Sequence, residues 1–253
     1  MQTEVLTPSK ERIKNILESK PADRLGILDL DIELYSGGST KQSEKFYFFS
    51  FNGPFQAMNS ELGLENALIK FTQEPRHTLS NFRYQQKRAI ADYKRLKREG
   101  FLFDGAWIWE DIAYDKGLYF SLDKYQRQLL GIHKDIVDFF SSEGLPLSFH
   151  CDGNIQGLVD ILAGINVKAL HPVQELSNPN MPKIKDAFKG MMTFIGAVGL
   201  HRLDQERDEL LKYINKLKES GNYIFSFDGP LPDGLDIEKY DELLKIIEAQ
   251  KDI

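Results

Sequence analysis

Short β-rich runs alternate with longer amphipathic stretches along most of the chain. Dense apolar runs over 25–30, 46–51, 103–109, 145–150, 167–171, 193–198 and 223–227 read as strands. Helical patterns fill the intervals at 9–19, 75–99, 121–142, 155–163, 182–188, 203–220 and 237–249. Leu129, Ile132, Ile136, Val137, Phe139 and Phe140 approximate one helical stripe, with Ser121 as its expected cap and Gly144 as its stop. Ser9 is the expected cap of the first helix. Strands alternating with helices predict parallel βαβ units. Several strands are apolar on both faces, as buried parallel strands are. Two closures fit this pattern: an open doubly wound sheet or a (β/α)₈ barrel. No linker or internal repeat divides the sequence, so residues 1–253 read as a single domain.

Polar residues recur where the apolar strands stop. Trp107-Ile108-Trp109 runs into Glu110-Asp111, and Leu147-Ser148-Phe149 into His150-Cys151-Asp152-Gly153. Ala169-Leu170 leads to His171-Pro172, and Phe225-Ser226-Phe227 to Asp228-Gly229. In parallel α/β folds these ends share one face, where active sites sit. His150 and Asp152, two apart in an extended strand, face one side, with Cys151 turned the other way as a small buried residue. An imidazole and a carboxylate there can be metal ligands, an acid–base pair, or a hydrogen-bonded rim. Glu110 and Asp111 are adjacent, so one of them faces the mouth, where a partly desolvated carboxylate suits proton transfer. His171, held extended by Pro172, is a third candidate for proton transfer. Trp107, Trp109 and Asn154 are candidates for substrate contact. His201 reads as a cap or surface residue, and His77 and His133 as residues within helices without a role. Gly37-Gly38-Ser39-Thr40 lacks the lysine and the spacing of a phosphate loop and reads as a flexible loop.

Composition narrows the functional classes. The chain has 253 residues and a formal charge of −6, and 42% of its residues are hydrophobic. An acidic balance gives no basic face for nucleic acid. The basic run from Arg83 to Arg98 reads as a solvated helix face. One cysteine excludes an intramolecular disulfide. No apolar run reaches the roughly 20 residues of a membrane span, and the opening residues lack a signal-peptide stretch. A cytoplasmic protein without a membrane partner is the expectation.

The residues also resemble the uroporphyrinogen decarboxylase superfamily, particularly its branch of cobalamin-linked methyltransferases. The likeness rests on Glu11-Arg12-Ile13, Lys20-Pro21-Ala22-Asp23-Arg24 and Asn52-Gly53-Pro54-Phe55. It is densest over Glu110-Asp111, Tyr114-Asp115-Lys116-Gly117, His150-Cys151-Asp152-Gly153-Asn154 and His171-Pro172-Val173-Gln174, and it continues through Phe194–Val198 and Gly221-Asn222-Tyr223-Ile224. The resemblance implies a (β/α)₈ TIM-like barrel. A shortfall around 35–45 predicts abbreviated or irregular first units. It implies a methyltransferase working with a corrinoid carrier protein and a zinc ion. The resemblance makes His150 the first ligand of a His-x-Cys motif, with Asp152 standing in for its cysteine and Asp228 as the third ligand. A decarboxylase of a porphyrinogen or another carboxylate is the alternative, although the Arg-x-Ala-Gly-Arg segment that binds substrate carboxylates is missing. A non-catalytic barrel binding a tetrapyrrole or a partner is the second alternative, and a homodimer is a further expectation.

Overall fold

The computed structural model describes residues 8–37, 41–219 and 222–249. Gly38, Ser39 and Thr40 of the glycine-rich loop, and Ser220 and Gly221, lie outside the described residues. Eight parallel strands form one sheet: β1 (Gly26–Ile27), β2 (Ile32–Leu34), β3 (Phe46–Asn52), β4 (Gly105–Trp109), β5 (Leu147–His150), β6 (Ala169–His171), β7 (Thr193–Val198) and β8 (Tyr223–Phe227). Their order is β1-β8-β7-β6-β5-β4-β3-β2, so each strand from β2 to β8 lies beside its predecessor or successor in sequence. This is a TIM-like α/β barrel, closed everywhere except between β1 and β2.

That gap is the irregularity expected near the start of the chain, and it has a plain cause. A parallel crossover needs a dozen or more residues. Here β1 and β2 are joined by a single helical turn, Leu28–Asp31. The expected strand at 25–30 therefore resolves into a two-residue strand and a turn, and β2 lies beyond it. The β2–β3 connection contains no helix among its described residues.

Side chains join what the ladder leaves open. Asp31 at the end of the turn is fully buried. It accepts hydrogen bonds from Arg12 Nη1 (2.6 Å), Arg24 Nη1 and Nη2 (2.8 and 2.9 Å), the Ile27 amide (2.9 Å) and Ser9 Oγ (2.7 Å). Arg12 also pairs through two nitrogens with Asp23 (2.7 and 2.8 Å). Ser9 thus serves Asp31 rather than capping its helix, Ser9–Leu17, whose N-cap is Pro8.

The barrel interior is apolar in its lower part. Phe46, Phe48, Trp107, Ala169, Ile195 and Ile224 pack with Ile13, Ile16 and Leu17 of the first helix. That helix plugs the end where the strands begin: Thr193 Oγ1 donates to the Ile16 carbonyl, and Lys10 pairs with Asp104. A larger apolar layer lies between the outer faces of the strands and the helices. It includes two helices absent from the sequence reading, Pro54–Leu62 and Leu64–Gln73. The helical stretch at 121–142 divides into Leu122–Gln128 and Leu130–Ser142, with Ser121 capping the first through the Lys124 amide. No helix among the described residues is long and apolar enough to cross a membrane.

Candidate functional site at the strand ends

Register brings the rim together. Asn52, Trp109, His150 and His171 are successive pairing partners across β3, β4, β5 and β6. Neighbours in register point to the same face of a sheet, so these side chains form one row inside the mouth. His150 Nδ1 lies 2.7 Å from His171 Nδ1. The Trp109 ring packs on His150 at 4.4 Å between centroids, and Trp107 packs on His171 at 4.9 Å. Trp107 is fully buried and belongs to the barrel core, whereas Trp109 is half-buried at the rim.

The other nitrogen of His150 faces two carboxylates. Its Nε2 lies 3.4 Å from Asp111 Oδ1 and 3.8 Å from Asp152 Oδ1. Asp111, His150 and Asp152 each offer a ligand atom within 4.8 Å of the others. One imidazole nitrogen and two carboxylate oxygens suit a borderline or hard divalent ion such as zinc, manganese or iron(II). Three protein donors at an open mouth leave a position for a small molecule, which is the pattern of catalytic rather than structural metal sites.

Electrostatics agree with a cation between these groups. Burial opposes ionisation of Asp111, but hydrogen bonds from His150 and the Asp152 amide outweigh it and hold its pKa below the usual carboxylate value. Asp152 is raised instead, by desolvation and by the negative charges of Asp111 and Asp228, with His150 acting in the opposite direction. A divalent ion would relieve that repulsion.

Asp228 stands apart from this cluster. β8 is three strands away from β5 in the sheet, whereas β4, which carries Asp111, is its immediate neighbour. Asp228 Oδ2 accepts the Glu175 amide at 2.8 Å. Among the described residues, the group that could hold a metal ion contains Asp111 and not Asp228, the expected third ligand. Cys151 is buried, its thiol pKa is pushed up by burial, and its sulfur accepts from the Ile112 amide.

Glu110 faces away from Asp111. It is fully buried and accepts from the Phe55 and Gln56 amides (3.1 and 2.9 Å) at the start of the Pro54–Leu62 helix. A carboxylate suits that position because free amides and the helix dipole converge there. Oε1 of Glu110 also lies 2.8 Å from His133 Nε2, whose Nδ1 is 3.0 Å from the Tyr125 hydroxyl. Burial pushes the Tyr125 pKa upward, so its hydroxyl stays protonated, and Tyr125, His133 and Glu110 form one buried hydrogen-bonded chain. Gly53 makes this approach feasible: a Cβ there would sit 2.3 Å from Glu110 Oε2. His133 thus has a structural role that its position in a helix concealed. The Gly53-Pro54 pair, a helix-start signal, was the available clue.

Loops pin the rim from behind. Gly153 has φ +88°, and a Cβ would meet the Tyr114 backbone at 2.7 Å. Its amide donates to Gln174 Oε1 at 2.7 Å, and its carbonyl accepts from Asn178 Nδ2 at 2.8 Å. Asn154 shapes the same loop, its Oδ1 accepting the Gln156 amide. No periodicity marks Gln174 or Asn178, and sequence reasoning missed both.

Glu175 extends this frame. Burial opposes its ionisation, but Arg202, the Gly199 amide and His201 outweigh it and lower its pKa. Arg202 Nε and Nη2 donate to it at 2.7 and 2.5 Å. A carboxyl whose folded pKa is depressed stabilises above its unfolded pKa, near 4.3, and loses that contribution as pH falls through the folded value. Glu175→Gln is expected to flatten the loss of stability below about pH 4, read from urea midpoints measured across the acid range; an unchanged profile would contradict the Arg202 pairing.

No family model matches the chain, and no characterised protein matches it by sequence. Among solved structures it is similar to a methyltransferase from Methanosarcina mazei, with a TM-score of 0.63 and 16% identity over 81% of this chain. The match spans 59% of that methyltransferase's length. A Xanthomonas albilineans dihydropteroate synthase with 4-aminobenzoic acid aligns with a TM-score of 0.43 and 14% identity, over 64% of this chain and 61% of that one. At such identity the methyltransferase match establishes a shared fold, an architecture that hosts many chemistries.

Proposed function

We propose that this chain is a methyl-transfer enzyme that uses a divalent metal at the mouth of its barrel and receives the methyl group from a corrinoid carried by a partner protein. The observation that carries this reading is the convergence of Asp111, His150 and Asp152 on one point at the strand ends. The barrel shared with a methyltransferase supports it. The donor set fits zinc, with Asp111 and Asp152 supplying oxygen where the resembled family uses sulfur. When bound, the ion would lower the pKa of a thiol or hydroxyl acceptor and so supply a nucleophile near neutral pH.

The chain's own residues do the rest. His150 and the two carboxylates would hold the ion, and with it the acceptor's atom, at the mouth. Trp109 provides an apolar wall beside His150. A methylcorrinoid, when delivered, would supply a methyl group to the acceptor's lone pair, with cobalt keeping the bonding electron pair, and the open mouth lets the acceptor's proton pass to water. Arg202 is already engaged by Glu175, which disfavours the reading in which rim arginines collect the carboxylates of a porphyrinogen.

The test is demethylation of methylcobalamin by the zinc-loaded chain with thiol, hydroxyl and amine acceptors, followed by cobalamin absorbance. The expected result is chain-dependent loss of the methyl–cobalt spectrum with at least one acceptor. No acceleration with any of them, or release of carbon dioxide from a porphyrinogen instead, would overturn the proposal.

A further inference from the structure

His171 is the one rim histidine for which that reading has no use. Its ring makes one hydrogen bond among the described residues, Nδ1 to Nδ1 with His150. Two neutral imidazoles joined this way need one protonated and one bare Nδ1. Which of them donates decides what His150 presents to the carboxylates. If His171 donates, the proton of His150 sits on Nε2, pointing at Asp111, and His150 cannot bind an ion. If His171 accepts, Nε2 carries a lone pair directed between Asp111 and Asp152.

Once an ion takes the Nε2 lone pair, the proton of His150 sits on Nδ1, 2.7 Å from His171 Nδ1, and two features hold that contact. The ring is held by Trp107 on one side and by His150, at 4.9 Å and 31°, on the other. Register fixes both histidines on adjacent strands, leaving little freedom to rotate away. We propose that His171 is a positioning residue for the metal centre, its bare Nδ1 accepting the Nδ1 proton of His150 and holding Nε2 ready to ligate.

This inference rests on the metal centre proposed above and adds a reason for the residue type. Ligating histidines usually donate to a carboxylate, a carbonyl or water. Here two carboxylates already balance a divalent charge. A third behind His150 would make the centre net negative and weaken its ability to acidify an acceptor. A neutral imidazole fixes the tautomer without adding charge.

The experiment is a cobalt(II) titration of the full chain, read by visible absorbance, for the parent, His171→Phe, His171→Gln and Asp111→Asn. His171→Phe is expected to weaken cobalt binding about 10–100-fold and to shift the absorption bands. His171→Gln, whose amide oxygen can accept the same proton, should recover most of the loss. Parent-like affinity in His171→Phe overturns the inference while leaving the metal centre intact. Absence of cobalt binding in the parent, or binding indifferent to Asp111→Asn, overturns the metal centre and this inference with it. Nitrogen-15 spectra of the zinc-loaded parent decide the matter even if the phenylalanine variant fails to fold: the proton must reside on His150 Nδ1, and a proton on His171 Nδ1 refutes the assignment.

Discussion

Replacing Asp31 with alanine is expected to lower the stability of the chain by about 3–5 kcal/mol, the usual cost of removing one partner from a buried ion pair. Asp31 has no exposed surface, and Arg12 and Arg24 are both buried beside it. Without the carboxylate, Arg12 keeps Asp23, and Arg24 keeps the Leu25 carbonyl (2.8 Å) and a half-exposed Glu248 (3.0 Å). Neither arrangement neutralises both guanidinium groups away from water. Typical domains are stable by only about 5–15 kcal/mol, so roughly a fifth or more of the total is at stake. Asp31→Asn should do little better, because an amide NH₂ would face donors on Arg24 or Ile27. Urea midpoints with an unchanged denaturant slope measure the effect. A loss under about 1 kcal/mol would mean that the network behaves like a surface pair and does not hold the barrel closed.

The second large effect is expected at the rim. Removing a group that merely supports a ligand typically costs about 10–100-fold in metal affinity, so losing His150 itself should exceed about 100-fold. His150→Ala and Asp111→Asn are expected to abolish stoichiometric zinc and methyl transfer together. Asp228→Asn should leave zinc content near that of the parent, because Asp228 belongs to the frame around Glu175. Elemental analysis of purified variants, with circular dichroism to confirm folding, separates these outcomes. Zinc retained in Asp111→Asn but lost in Asp228→Asn would restore the ligand set expected from sequence and refute the one built from the coordinates.

The contrast between those two ligand sets shows what the sequence made legible. Strands such as Thr193–Val198 and Tyr223–Phe227 are buried throughout, and burial on both faces makes their apolar runs nearly continuous. The rim position of His150 followed from the same runs, since polar residues begin where they end. Which carboxylate joins His150 is a matter of strand order, and no local pattern records that order. Glu110 and Asp111 looked alike in sequence; only the position of the Pro54–Leu62 helix turns one inward to its amides and leaves the other at the mouth. The first strand is shorter than expected because Leu28-Asp29-Leu30-Asp31 alternates apolar and polar as a strand does, while the buried aspartate at its end reads as an ordinary loop residue.

The interrupted wall has a consequence for motion. A continuous ladder spreads deformation around its circumference, but a ring with one break concentrates it there. β1 contributes only two residues, so its attachment to β8 is the shortest hinge available. Widening of the mouth would begin at this seam. The salt links around Asp31 then act as a latch, setting how readily the entrance yields while the histidine row on the far wall stays fixed.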